Sequence, residues 1–79
     1  MKDSLIILSK SPDKAHVSFN NKYYIISYIN NHMAHESLIF ESNSQGTISN
    51  YSDIGGARET SINEILSNFK SFLYSPINS

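Results

Sequence analysis

The chain has 79 residues, with 6 Lys and Arg against 7 Asp and Glu and a formal net charge of -1. That length holds one domain with one core. The charge balance excludes both a basic groove for a phosphate backbone and an acidic surface that would mimic one. Cysteine is absent, which excludes disulfides, thiolate metal sites and cysteine nucleophiles.

The first apolar block is Leu5-Ile6-Ile7-Leu8, followed by Ser9-Lys10-Ser11-Pro12-Asp13. The block reads as a short strand or an N-terminal arm, and the Ser-Pro-Asp cluster as a turn. It is far too short for a membrane span or a signal-peptide hydrophobic region, so the chain reads as cytosolic. Ala15, Val17 and Phe19 alternate with His16 and Ser18, the pattern of a half-buried strand. Asn20-Asn21 supplies two residues that tolerate the positive φ of a tight hairpin. Tyr23 to Ile29 is dense in Tyr and Ile and reads as a strong strand. Asn30-Asn31 marks a second turn. Glu36 to Glu41 reads as a third strand, with Leu38 and Phe40 on one face and Ile39 on the other. Asn43-Ser44-Gln45-Gly46 is another turn, and Thr47 to Tyr51 a further strand.

The C-terminal segment carries a helical pattern. Ile62, Ile65, Leu66, Phe69, Phe72 and Leu73 fall at i, i+3, i+4, i+7, i+10 and i+11. Ser61 and Glu64 form a capping box, in which Ser61 accepts from the Glu64 amide and Glu64 reaches back. Pro76 ends the helix, because a residue before proline avoids helical geometry. One wide apolar face must cover something, and the hairpin meander is the surface at hand. The expected fold is therefore α+β: an antiparallel meander of about four strands with one helix, 61–75, packed on one face.

The Tyr23–Ile29 strand is apolar on both sides, with Tyr23, Ile25 and Ile29 on one and Tyr24, Ile26 and Tyr28 on the other. One helix covers only one side of a small sheet. If Asn20-Asn21 is a two-residue loop, Val17 faces Tyr24, and the covered side is Val17, Phe19, Tyr24, Ile26 and Tyr28. Tyr23, Ile25 and Ile29 then lie beside His16 and Ser18 on the bare side. A three-residue loop with Lys22 exchanges the two sides. Three readings of the bare side stand: a docking surface for another protein, an interface between two copies, or a face covered by the Leu5–Leu8 arm. Tyrosine gives large contact area at low entropic cost. Tyr23, Tyr28, Tyr51 and the single arginine, Arg58, are the expected partner-binding anchors, with at most one of Tyr23 and Tyr28 on the bare side.

Other motifs argue weakly for chemistry. His32-Met33-Ala34-His35 has a ligand-like spacing, but it lies between a turn and a strand, not on a helix that would align both imidazoles. Glu36 and Glu41 sit at the polar ends of a strand, where carboxylates stay solvated, whereas acid–base work needs one of them desolvated. No Gly-x-Ser-x-Gly elbow is present. Asp53-Ile54-Gly55-Gly56-Ala57-Arg58-Glu59-Thr60-Ser61 leads into the helix start, where amides and an arginine attract anions, yet Glu59 and Glu64 repel them. That segment reads as a strand-to-helix connection in which glycine permits a sharp turn. A nucleic-acid binder using tyrosine stacking would need a positive groove that five scattered lysines and one arginine do not form. The expectation is a protein that is not an enzyme, with no cofactor and no metal, and with a protein partner or a second copy as its ligand.

The run Gly56-Ala57-Arg58-Glu59 with Thr60-Ser61 and a capped, aromatic-rich helix, after Asn-turned strands, resembles small phage-encoded anti-CRISPR inhibitors over about a quarter of the chain. The hairpin from Glu36-Ser37-Leu38-Ile39-Phe40 through Gly46-Thr47-Ile48 resembles hairpins of phage and mobile-element proteins. The resemblance implies a non-catalytic inhibitor that binds a host defence complex such as CRISPR–Cas in the host cytoplasm.

Overall fold

The computed structural model describes residues 4–74. Five strands run in chain order: β1 (Leu5–Ser11), β2 (Lys14–Phe19), β3 (Lys22–Asn30), β4 (His35–Ser42) and β5 (Gly55–Arg58). They form one sheet in the order β1-β2-β3-β4-β5, every neighbouring pair antiparallel. Two short helices follow, α1 (Ile62–Ser67) and α2 (Phe69–Phe72). The α+β meander expected from the sequence is present, with five strands in place of about four and two helical segments in place of one.

The turns are built by asparagine. Asn20 and Asn21 sit at φ 51 and 68, the paired positive values of a two-residue hairpin turn whose twist suits antiparallel strands. Val17 therefore opposes Tyr24, and Ala15 opposes Ile26. Asn31 Oδ1 accepts from the amides of Met33 and Ala34 in the β3–β4 turn. Asn43 Oδ1 accepts from the amides of Gln45 and Thr47 after β4. In each turn a short amide side chain replaces a backbone acceptor.

The hairpin register sets the covered face. Val17, Phe19, Tyr24, Ile26 and Ile39 pack with Ala15 against Ile62, Ile65 and Phe69. Ile26, Ile39 and Ile65 are sealed at 0% exposure, each burial stabilising the fold by about 2 kcal/mol. The Phe69 ring meets Phe19 nearly edge-on at 5.2 Å and Tyr24 at 5.5 Å, a geometry that suits ring quadrupoles. Ser37, buried on the same face, donates to the Thr60 carbonyl at 2.6 Å and ties β4 to the start of α1.

Four local expectations are corrected. Thr47–Tyr51 is not a strand: it makes one bridge, Ile48 to Ser42, and then leaves the sheet. Asn50 there turns its side chain to the Ser52 amide, and such local bonds compete with a ladder. The β4 edge is filled instead by Gly55–Arg58, which the sequence marks as a loop. Gly56 sits in that strand at φ 135, a backbone that side-chain-bearing residues rarely adopt. Of the two readings of the segment from Leu5, the strand holds and the arm does not: β1 is longer than the Leu5–Leu8 block, runs to Ser11 and extends the sheet sideways, with a register shift between Ile7 and Ser9. The helix breaks at Asn68 (φ -146, ψ 51), which lets Phe69 turn under Phe19 and Tyr24.

The helix start follows the sequence: the Glu64 amide donates to Ser61 Oγ at 3.3 Å. All six periodic apolar positions serve the core, with Ile62, Ile65 and Phe69 buried and Leu66, Phe72 and Leu73 packed at its margin. The Pro76 stop and the last residue of the expected 61–75 helix lie outside the described residues.

Candidate functional site

The helices lie on the Val17–Tyr24–Ile26 side, so the other side of the sheet is the candidate surface. Strand alternation puts His16 and Ser18 of β2, Tyr23, Ile25, Ser27 and Ile29 of β3, and Glu36, Leu38 and Phe40 of β4 on this side. The register carries the set across the sheet: His16 opposes Ile25, which opposes Phe40, and Ile29 opposes Glu36, which opposes Arg58. The result is an apolar strip bordered by the Lys14 ammonium, the Glu36 carboxylate and the Arg58 guanidinium.

Burial within the strip is uneven. Ile25 is only 3% exposed, although the helices pack on the opposite side. His16 and Phe40 oppose it across the two ladders. Tyr23, Ile29, Leu38 and Phe40 remain half-buried. The expectation that Tyr23, Ile25 and Ile29 all lie open is therefore corrected at Ile25, which is core-like. The His16 and Tyr23 rings are 6.0 Å apart and tilted by 40°. His16 Nε2 lies 3.3 Å from the Asn43 carbonyl, so the turn after β4 leans on this end of the strip.

The four expected anchors separate. Tyr23 and Arg58 share the helix-free face, at opposite corners of it. Tyr28 is on the helix-covered face, half-buried, with its hydroxyl 3.4 Å from His35 Nδ1. Tyr51 projects from the loop after β4 at 79% exposure. Arg58 is exposed in β5, so the reading of it as part of a glycine-rich loop before the helix does not hold.

Chemistry-bearing residues meet at one further place. Tyr28, His35, Glu59, Ser61 and Glu64 line a shallow, open cleft beside the start of α1. The Glu59 amide donates to the His35 carbonyl and fixes the chain there. Among the described residues, no group of three or more His, Asp or Glu side chains is placed to hold a metal ion. Glu36 and Glu41 fall on opposite faces of β4, opposite Ile29 and Tyr24 respectively, and do not form a pair.

Tyr24 is the one described group with a resolved proton-affinity change. Burial, a hydrogen bond with Tyr74 and the charge of Glu41 push its phenol well above the ordinary value of 10.0. It stays a neutral core residue and no acid–base role attaches to it.

Sequence reasoning passed over Ile6, Ile7 and Leu8 as surface residues. They are 54%, 49% and 47% exposed on the outer strand of the sheet. Their signal was present in the sequence as an unbroken apolar run with no polar alternation.

No helix among the described residues is long and apolar enough to cross a membrane. The chain matches no protein-family model, no curated protein and no solved structure.

Proposed function

We propose that this chain is a small, non-catalytic protein-binding module that docks through the helix-free face of its sheet. The observation that carries the reading is the half-exposed set Tyr23, Ile29, Leu38 and Phe40 around the sealed Ile25. A tyrosine and a phenylalanine on a rigid strand platform, with Arg58 and Glu36 at the border, match the usual anatomy of an apolar centre with a polar rim. Tyr23 and Arg58 are the anchors this reading keeps; Tyr28 serves the covered side, and Tyr51 is a peripheral contact.

Occlusion or modulation of a cytoplasmic partner follows from such a surface. The resemblance of the Gly56–Ser61 segment to anti-CRISPR inhibitors makes a host CRISPR–Cas complex the first partner to assay. The experiment is capture from host lysate with the tagged chain, mass spectrometry of what is retained, and repetition with Tyr23→Ala and Phe40→Ala. The reading requires one retained protein whose capture both substitutions reduce while the fold is retained. Equal capture by both variants overturns it.

A further inference from the structure

The sheet has one open edge and one closed edge. At the closed edge, β5 has four residues, Gly55 is bridged to Leu73, and the Tyr74 amide donates to the Ile54 carbonyl. The chain itself therefore occupies the backbone groups where a further strand would start. At the other edge, β1 has seven residues and, among the described residues, no strand beyond it.

That open edge lacks most of the usual protection. From Leu5 to Ser9 it contains no charge and no proline, and Ile6, Ile7 and Leu8 are each about half-exposed. Its one cation, Lys10, donates to Asn63 Oδ1 at 2.6 Å and is drawn toward α1. The register shift between Ile7 and Ser9 is the one protective irregularity.

We infer that β1 pairs antiparallel with β1 of a second copy, giving a two-fold dimer with a continuous ten-stranded sheet. An antiparallel pair of identical strands is the arrangement that brings one edge onto itself and closes. Paired residues share a face of a sheet, so the axis passes through a residue and not between two. An axis at Ile7 sets Ile7 against its own counterpart and brings Ile6 toward Leu8; the register shift puts Leu5 and Ser9 on opposite faces, so the regular pairing ends there. Ile6, Ile7 and Leu8 then each meet an apolar side chain, and no like charges are opposed. The blocked β5 edge stops growth at two copies.

The same axis is perpendicular to the sheet, so the helix-free faces of both copies lie on the same side. The doubled docking surface, though not the pairing itself, rests on the binding reading above. The contact is small, one strand per copy, which places it at the weak end of specific interfaces.

Light scattering on the purified chain between about 1 and about 300 µM, the range of a weak contact, tests the pairing. The mass is expected to rise from 8.9 kDa toward twice that value with concentration. Ile7→Lys, which opposes two cations at the axis, is expected to stay monomeric with an unchanged circular dichroism spectrum. Because the chain has no cysteine, Ile6→Cys, Ile7→Cys and Leu8→Cys report the edge even if the lysine variant misfolds. At least one of the three is expected to cross-link on mild oxidation, and Tyr51→Cys to remain uncross-linked. A monomer at every concentration, open-ended polymers, or a dimer that none of the three edge cysteines cross-links overturns the inference. Loss of the dimer in Ile7→Lys with retained partner capture separates this contact from the docking face.

Discussion

Ile7 and Val17 oppose each other across the β1–β2 pair, and the cover over the sheet ends between them. Val17 is sealed at 0% exposure, whereas Ile7 is 49% exposed. The helical segments pack on β2 to β4 and meet β1 only toward its ends, where Leu5 lies against the core and Lys10 bonds Asn63, so at Ile7 one outward step changes an apolar residue from core to edge.

This boundary predicts unequal costs for similar truncations. Val17→Ala removes two methyl groups from a sealed site and is expected to lower stability by about 1–3 kcal/mol. Ile7→Thr, at a half-exposed strand position, is expected to cost less than about 1 kcal/mol. Urea unfolding of the two variants at low protein concentration, where self-association does not contribute, measures the difference. Equal costs would mean that β1 is covered after all.

Adjacent tyrosines make a second contrast. Tyr24 is 2% exposed against Phe69 and Phe19, while Tyr23 lies half-buried on the far side beside His16. Tyr24→Ala is expected to lower stability by about 3 kcal/mol or more, enough to unfold much of a domain this small. Tyr23→Ala is expected to cost under about 1.5 kcal/mol and to weaken partner capture at least tenfold. Thermal melts alongside capture assays separate the two roles.

The Tyr24 phenol also predicts a pH dependence. Its folded value lies above the ordinary 10.0, so the folded state holds this proton more tightly than the unfolded chain does. Its contribution is complete below the unfolded value and declines as the pH rises past it, toward the folded value. Denaturation midpoints should therefore fall in this alkaline range. Tyr24→Phe, which has no proton to lose, should flatten that part of the profile.

Gly55 gives a packing prediction. A β-carbon there would lie 2.3 Å from the Phe72 carbonyl oxygen and 2.9 Å from the Tyr74 amide nitrogen, both of them backbone atoms. Gly55→Ala must separate β5 from the end of α2 and is expected to cost about 2 kcal/mol or more. Amide exchange should accelerate most around Ile54, Leu73 and Tyr74 in this variant.

Legibility in the sequence followed the range of the interactions. The β2–β3 register could be read because Asn20-Asn21 and the Val17, Phe19 alternation are both local, and one residue of slip would have exchanged the buried and bare faces. The helix periodicity was equally local, and every periodic residue meets the core. β5 was not legible, because Gly55-Gly56 carries no strand propensity and owes its conformation to β4 on one side and Leu73 on the other. Thr47–Tyr51 failed in reverse: its β-favouring residues lost the β4 edge to a segment further along the chain. The break at Asn68 was hidden inside a regular apolar spacing. At the candidate surface, the sidedness of Tyr23 followed from alternation, whereas the placement of Leu38 and Phe40 on the same side required the β3–β4 register. The burial of Ile25 was not legible, because its cross-strand neighbours His16 and Phe40 are specified only by the assembled sheet.

The order of elements along the chain bears on how the molecule is made. Strands β1 to β4 are joined by tight turns, so each can pair with its predecessor as it leaves the ribosome. Val17, Tyr24, Ile26 and Ile39 are then assembled before Ile62, Ile65 and Phe69 have been synthesised. A translating chain paused in that interval presents an oily slab with no lid, and a ribosome stalled before codon 62 would leave a product that sticks to whatever is near.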